Sequence, residues 1–531
     1  MNHLALSIIS TLIIALSENL FFILNDKTSL VPMQNYIGLF LFYTILTLIP
    51  SKKVRLGFII LIPILSIFQM LHISFYGLPV YPSAIYLFFA ESSEVFGTLR
   101  EELALFIIPS LITGFSIIFL YLANRNFKPK LKFKFIPFLL IFYLLYNPMR
   151  TYFTGNTWGR QPSTQDFLGV NMYLSLSYFL GRILPYKMSH KTVKSSEEEF
   201  QFTKTSKFKG NIIFVIGESL SANHLSLLGY KRKTTPRLNL LKNDPNFYYS
   251  AAISSGVSTD VSIAFMINNT YGLKGQRTVF QGKQCLFNMA LNNGFKTTFY
   301  SSQSQQQLRY ITNSICLPSI ENYKSLEDLE PNIKNSNAAN DFKLLDSIED
   351  DLYSIENREK NHFYVLHQRG SHGPYSLRYP ENETVFSLTG KYQQDRVNHY
   401  DNSVIQFDKF FDKLIKVVKN HETPTLVIYI SDHGEGLGEE GVWGHAALKK
   451  PSFSIPFLAY FHKIEDIPGF STEPTHLEVT SYIAKMLGYT SNLTFPLENY
   501  VVLGNDLDGL AGYLILDFEK GKLKSYKRQD F

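Results

Sequence analysis

The first 150 residues hold long, nearly uncharged apolar stretches at about 4–24, 34–50, 56–76, 103–123 and 133–148. In hydrocarbon every backbone polar group must be satisfied within the chain, and about 20 apolar residues suffice to cross a bilayer, so these stretches are expected to be five membrane-spanning helices. The second and fifth are short for a hydrocarbon core of about 30 Å, and a re-entrant or interfacial course is the alternative for them. Mean hydropathy over the chain is nonetheless -0.03, so the remainder must be polar enough to offset them. At 531 residues the chain also exceeds what one core usually organises, and at least two domains are expected.

Basic residues orient the spans. Lys52, Lys53 and Arg55 lie between the second and third stretches, and Arg125, Lys128, Lys130, Lys132 and Lys134 lie between the fourth and fifth. Both loops should face the cytoplasm. The loop between the third and fourth stretches carries Glu91, Glu94, Glu101 and Glu102 instead. An odd number of spans then starts inside and puts everything after residue 150 outside. No small-residue cleavage site follows the first stretch, so it is read as uncleaved.

Residues 151–206 form a junction. Asp166 to Leu184 mixes apolar and small polar residues in a pattern suited to a helix lying along the membrane surface or packed on the spans. Ser189 to Ser206, rich in Lys, Glu, Ser and Thr, reads as a linker. The expected organisation is a membrane domain over 1–150, this junction, and a soluble domain over 207–531.

Only two cysteines occur, Cys285 and Cys316, both on the side assigned to the outside. A disulfide there would be worth about 3–4 kcal/mol in the chain-entropy model, and two unrelated buried thiols are the other reading. The net charge of +6 sits largely in the cytoplasmic loops and the far carboxyl end, with no basic stripe of the kind nucleic acid needs. Lys520 to Phe531 is basic and expected to fray.

From Lys207 onward, strand-like runs at Ile212 to Ile216, Thr297 to Tyr300, His362 to His367, Leu426 to Ile430 and Phe457 to Tyr460 alternate with helical patterns. This predicts a largely parallel sheet covered by helices on both faces, with the active site at the carboxyl ends of the strands, where the polar clusters Gly217-Glu218-Ser219, Gln303, His367 to His372 and Ser431 to Glu435 fall. No internal repeat is evident. Two of the runs end abruptly in ligand-type residues. Asn211 to Gly217 leads into Glu218, and Thr425 to Ser431 leads into Asp432 and His433, which makes these three candidates for one metal centre. Ser254 to Ser262, small and polar, runs into the apolar Ile263 to Met266. This leaves Thr259 near a helix amino terminus, where dipole and free amides favour an anion, although Ser and Thr also serve there as ordinary caps.

These residues carry a family resemblance. The chain resembles phosphoethanolamine transferases of the bacterial inner membrane, in the alkaline phosphatase and sulfatase superfamily, a group that includes the lipid A modifying enzymes behind polymyxin resistance. The most specific pieces are Gly217-Glu218-Ser219 with Gly229-Tyr230, the turn around Thr259, Leu366-His367-Gln368-Arg369-Gly370-Ser371-His372-Gly373-Pro374, and Ser431-Asp432-His433-Gly434-Glu435 continuing to Gly441-Val442-Trp443-Gly444-His445. The fold it implies is a multi-span α-helical membrane domain followed by an α/β/α alkaline-phosphatase-like soluble domain in the periplasm.

The resemblance further implies that Glu218, Asp432, His433 and Thr259 bind zinc, one ion or two, with Thr259 as the nucleophile. His372 and His445 resemble the family's substrate-side histidines. The implied reaction takes phosphoethanolamine from phosphatidylethanolamine onto Thr259 and then to lipid A, lipopolysaccharide core or a periplasmic glucan, by a chain working as a monomer. Two departures stand out. The lipid A enzymes carry several disulfides, including a cysteine before the nucleophile turn, where this chain has Ser255. The 82–102 loop resembles a donor-binding loop but lacks asparagine, leaving Glu91 and Glu94 as candidates for the ethanolamine ammonium. A phosphoglycerol transferase with the same metal and nucleophile is the nearest alternative, and a non-catalytic membrane scaffold is another. A sulfatase activity would need Cys/Ser-x-Pro-x-Arg in the nucleophile turn, which is absent.

Overall fold

A computed structural model of the chain describes residues 2–25, 31–77, 79–80, 82–90, 103–154, 166–185, 202–273, 275–309, 311–354, 361–445, 447–507, 509 and 512–529. It divides into two units, Met1–Lys191 and Thr192–Phe531.

In the amino-terminal unit the apolar stretches form helices: α1 His3–Leu24, α2 Met33–Thr47, α3 Lys52–Tyr76, α4 Pro82–Ala90, α5 Ile107–Arg125, α6 Ile136–Thr154 and α7 Leu168–Tyr178. The ends of α3 follow its sequence, since the Ser51 hydroxyl accepts the Val54 amide and Gly77 closes the helix in the left-handed region at φ 76°. Among the described residues, three helices are long and apolar enough to cross a membrane by length and composition, His3–Leu24, Lys52–Tyr76 and Leu103–Arg125. The other two expected spans also form helices, but α2 has only 15 residues, and the second half of α6 is diluted by Asn147, Pro148 and Arg150.

The unit buries polar residues among apolar ones and exposes many large apolar side chains. Ser7, Ser10, Glu18, Ser66, Gln69 and Ser116 are buried, whereas Leu16, Ile23 and Phe138 are exposed. An apolar exterior over buried, paired polar groups is what a hydrocarbon solvent selects, because polar groups there must pair with one another. It also decides between the two readings of the 166–184 segment. Helix α7 packs on α3, with Gly169 so close that a Cβ would meet Ile62 O at 2.5 Å. Gln69 Nε2 donates to Asn171 Oδ1 at 2.8 Å, and Glu18 accepts from Ser66 Oγ at 3.0 Å and from the Leu168 amide at 2.9 Å.

In the second unit, strands and helices alternate as β1 Asn211–Gly217, β2 Phe247–Ile253, α8 Thr259–Ile267, β3 Lys296–Ser301, β4 Asn322–Lys324, α9 Phe342–Tyr353, β5 His362–His367, α10 Tyr392–Lys419, β6 Thr425–Ser431, β7 Ser454–His462 and α11 His476–Met486. A seven-stranded sheet runs in the order β2-β7-β6-β1-β5-β3-β4. Only β7 runs against the others.

Alternation along the strands feeds two cores. Ile212, Phe214 and Ile216 pack with α8 and α11 on one face, and Ile213 and Val215 pack with α9 and α10 on the other. The central strands are buried on both faces, which is why they read as unbroken apolar runs. Cys285 and Cys316 are disulfide-bonded, with Cα atoms 6.6 Å apart.

The carboxyl end corrects an expectation. As far as Gln529 it is ordered in a sheet: β8 Asn499–Leu503, β9 Tyr513–Glu519 and β10 Lys522–Gln529 pair antiparallel, and residues 530–531 lie outside the described residues. Leu514 and Leu516 of β9 pack beneath Phe453, so β10 has a paired partner despite its lysines.

Candidate metal centre

Parallel register brings the ligand-type residues together. Gly217 at the end of β1 pairs with Ser431 at the end of β6, so their successors Glu218 and Asp432 emerge side by side. The Asp432 amide donates to Gly217 O at 2.9 Å. Ser219 then turns in the left-handed region at φ 56°, a conformation that non-glycine residues seldom adopt. It is held there by its amide, which donates to Asp432 Oδ1 at 3.0 Å, and by its hydroxyl, which donates to Glu218 Oε1 at 2.9 Å.

Thr259 arrives from a different part of the chain. It is the first residue of α8, with Ser258 as the cap, and so stands at the positive end of a nine-residue helix. Its Oγ1 lies 3.2 Å from both Glu218 carboxylate oxygens and 3.2 Å from His433 Nε2. His433 Nε2 is in turn 3.4 Å from Glu218 Oε1 and 3.3 Å from Asp432 Oδ2.

These separations suit a metal. Ligands at the zinc distance of about 2.0–2.1 Å in a tetrahedron are about 3.3–3.4 Å from one another. Glu218, Asp432 and His433 are all buried and their ligand atoms form one cluster. His433 Nδ1 faces Gly434 O at 3.0 Å, which makes Nδ1 the donor and Nε2 the nitrogen that would turn to a cation in the cluster. Asp432 Oδ2 is buried and accepts no hydrogen bond. The residues present therefore fit a small divalent cation.

The electrostatics say the same. Burial pushes Asp432 up, and the neighbouring Glu218 charge adds to this, taking it to about 7. Burial also works against a charged Glu218, yet its hydrogen bond to His433 and the charge of that ring hold it well below the usual carboxylate range. Burial should strip a proton from His433, but Asp432 and Glu218 outweigh this and raise it to about 10. Two carboxylates thus draw positive charge into a dry site, a demand a divalent cation meets more completely than a proton does.

Of the other expected residues, His445 lies beside this cluster, its ring 4.4 Å from that of His433 and 5.7 Å from that of His372. His445 Nδ1 is 3.0 Å from Glu435 Oε2. His433, Glu435 and His445 form a second potential ligand group that shares His433 with the first. His372 belongs to neither group, and its Nδ1 faces Gly373 O at 2.7 Å. Glu91 and Glu94 lie outside the described residues.

Several residues support the site, and of these Gln303 is where the sequence reading expects a polar cluster, while Tyr375 and His476 escape it. Gln303, beyond β3, donates to Glu218 Oε2 at 3.1 Å and contacts His367 Nε2 at 3.2 Å. Tyr375 donates its hydroxyl to Glu435. His476 touches the backbone of both the Ser255 turn and the Ser431 loop. Neither Tyr375 nor His476 stands at the end of an apolar run, the signal that marks Glu218, Asp432 and, just past β3, Gln303.

The sulfatase family model matches residues 210–484, slightly more than half of the chain, including all seven strands of the large sheet. The chain belongs to the sulfatase family. Within it the similarity extends to proteins named phosphoethanolamine transferases. One is phosphoethanolamine transferase EptA of Helicobacter pylori, 28% identical over 70% of this chain and 69% of that protein. Another is phosphatidylethanolamine transferase Mcr-1 of Escherichia coli, 28% identical over 57% of this chain and 58% of that protein. Among solved structures, the integral membrane protein lipooligosaccharide phosphoethanolamine transferase A of Neisseria meningitidis shares the fold, with a TM-score of 0.54 at 21% identity over 86% of this chain and 88% of that one.

Proposed function

We propose that this sulfatase-family chain is a zinc-dependent transferase that moves phosphoethanolamine from phosphatidylethanolamine to a cell-envelope glycolipid or glycan, through a covalent intermediate on Thr259. The activities named for its relatives support the chemistry. The observation that carries the reading is the Thr259 hydroxyl, 3.2 Å from both Glu218 and His433 at the mouth of a buried, acidic cluster. Glu218, Thr259, Asp432 and His433 would hold the zinc, and the bound ion supplies Lewis acidity that makes a hydroxyl nucleophilic near neutral pH.

The chain's own residues account for the remaining steps. Thr259 Oγ1 forms a bond to phosphorus as the bond to the diacylglycerol oxygen breaks, and its proton passes to a neighbouring base. The departing alkoxide takes up a proton. His445 suits this role: the Glu435 carboxylate engages Nδ1 and leaves Nε2 to carry the proton. In the second displacement the acceptor oxygen attacks the same phosphorus as its proton passes to His445, and the bond to Thr259 Oγ1 breaks as that oxygen regains the proton held by the neighbouring base. His372, beside His445, stands where it can orient the incoming group. The dipole of α8 favours the negative charge that builds at its amino end in both steps.

Because both donor and acceptor are read as envelope molecules, the soluble unit belongs on the periplasmic side of the cytoplasmic membrane. Thr259→Ala should abolish transfer while the protein still folds and takes up zinc. Mass spectrometry of envelope lipids and glycans from cells with and without the chain checks the group and names its bearer. Full transfer by the alanine variant, or a phosphoglycerol increment in place of phosphoethanolamine, would overturn the reading.

A further inference from the structure

His476 is a fully buried imidazole that the transfer chemistry does not use. It opens α11, beyond the last motif that the sequence singles out. Both ring nitrogens are committed to backbone. The Ser255 amide, which can only donate, is 3.0 Å from Nδ1, and the Ser431 carbonyl, which can only accept, is 2.9 Å from Nε2. The ring is therefore neutral, with its proton on Nε2. A second proton would have to displace the Ser255 bond, and burial holds this imidazole down at about 3.

The two backbone groups belong to the two halves of the site. Ser255 lies in the turn that delivers Thr259, and Ser431 immediately precedes Asp432 and His433. The other bonds of that turn lead elsewhere: Ser255 Oγ pairs with Tyr500 OH at 2.8 Å, Ser255 O accepts from the Leu503 amide at 2.9 Å, and the Ser254 amide donates to Phe453 O at 3.0 Å. On the other side, the peptide that starts Asp432 is gripped at both ends, by His476 on Ser431 O and by Gly217 O on the Asp432 amide at 2.9 Å.

We infer that His476 is a positioning residue, a rigid neutral ring that fixes the nucleophile turn against the ligand loop and so sets the distance from Thr259 to Glu218 and His433. An error of about 1 Å in such a distance costs on the order of a hundredfold in rate, so a fixed spacer here has consequences for chemistry. The functional part of the inference rests on the proposed role of Thr259.

The test uses the full-length chain in detergent with His476→Leu, which fills the space and makes neither bond. Hydrogen exchange should accelerate by about tenfold or more at residues 254–259 and 429–433 together, while the rest of the soluble unit keeps its protection. Zinc affinity, read by chelator competition, should fall by about 10–100-fold, as for other residues that orient ligands. That loss should shrink when Thr259→Ala is also present, because the hydroxyl being positioned is then gone. Acceleration in one segment only, acceleration spread evenly over the unit, or an equal loss of affinity in both backgrounds would each overturn the inference.

Should the leucine variant fail to fold, His476→Met, a flexible apolar side chain with no hydrogen-bond donor, carries the test. Exchange then rises at 254–259 and 429–433 together, and unchanged exchange at both counts against the role. A wild-type chain that takes up no zinc would defeat the metal reading of the site, and the exchange measurement would still decide His476.

Discussion

Asp432 Oδ2 is buried, accepts no hydrogen bond and lies 3.3 Å from His433 Nε2. An anionic oxygen in such a place costs several kcal/mol unless a cation answers it. Asp432→Asn keeps the shape and removes the charge, so two opposite effects are expected. Zinc affinity should drop by about a hundredfold or more, because a charged ligand is lost. The metal-free protein should melt no lower than the wild type, because the burial of a charged Asp432 and its repulsion from Glu218 are lost too. Chelator competition and thermal melting in excess chelator measure the two separately, and a metal-free variant markedly less stable than the wild type would mean that Asp432 serves the fold rather than a cation. This residue was legible in the sequence, as were Glu218 and His433, because a buried parallel strand announces itself by β-branched content and its end by sudden polarity. So was Gln303, which follows the end of β3 and reaches Glu218 from there. His476 was not: it joins the site through tertiary contacts of one side chain, and a lone His in a mixed segment carries no local signal.

At the level of elements, the segment from Gly434 to His445 must hold Glu435 and His445 in place although its regular structure is two two-residue strands and one 3-10 turn. A buried imidazole latches it. His224 Nδ1 meets Asp401 Oδ1 of α10 at 2.7 Å, and its Nε2 meets Glu439 Oε1 of this segment at 3.0 Å. The rings of Tyr230 and Tyr400 cover it, and Arg232 pairs with Asp401 on the far side at 2.7 Å. Burial alone would discharge His224, but Asp401 and then Glu439 raise it from 6.5 to about 9. The folded state therefore binds this proton more tightly than the unfolded chain does. The resulting stability is fully present below about pH 6.5 and is lost as pH rises through about 9. Melting temperature should accordingly fall across that window, and His224→Gln should flatten the fall while lowering the plateau at neutral pH. Parallel slopes for the two proteins would remove the latch. Elements also mark where sequence reading stops. Strand β2, Phe-Tyr-Tyr-Ser-Ala-Ala-Ile, is diluted by small residues at its centre, β4 is only three residues long, and β10 alternates lysines that look merely solvated. All three owe their pairing to a neighbouring strand more than to their own composition.

Across the whole molecule, the strongest signal in the sequence was the asymmetry between an apolar first part and a mixed second part, and it corresponds to two units dividing at Lys191 and Thr192. Hydropathy could not say which apolar helices cross a membrane, because length and composition separate α1, α3 and α5 from α2 and α6 only once helix ends are known. The division has a functional consequence. Both cores flanking the seven-stranded sheet, and every residue of the candidate metal centre, lie in the second unit. Residues 202–531 alone should thus fold and take up zinc with the affinity of the full chain. What they would lack is tethering, which converts encounter with a membrane-borne donor into a quasi-intramolecular event worth about 10²–10⁴ in effective concentration. Transfer from phosphatidylethanolamine in vesicles should fall by about a hundredfold or more for the isolated unit, while turnover of a short-chain, water-soluble donor should match that of the full protein. Equal rates on vesicles would mean that the helices do not serve substrate capture. A loss on both donors would mean instead that the amino-terminal unit completes the catalytic site itself.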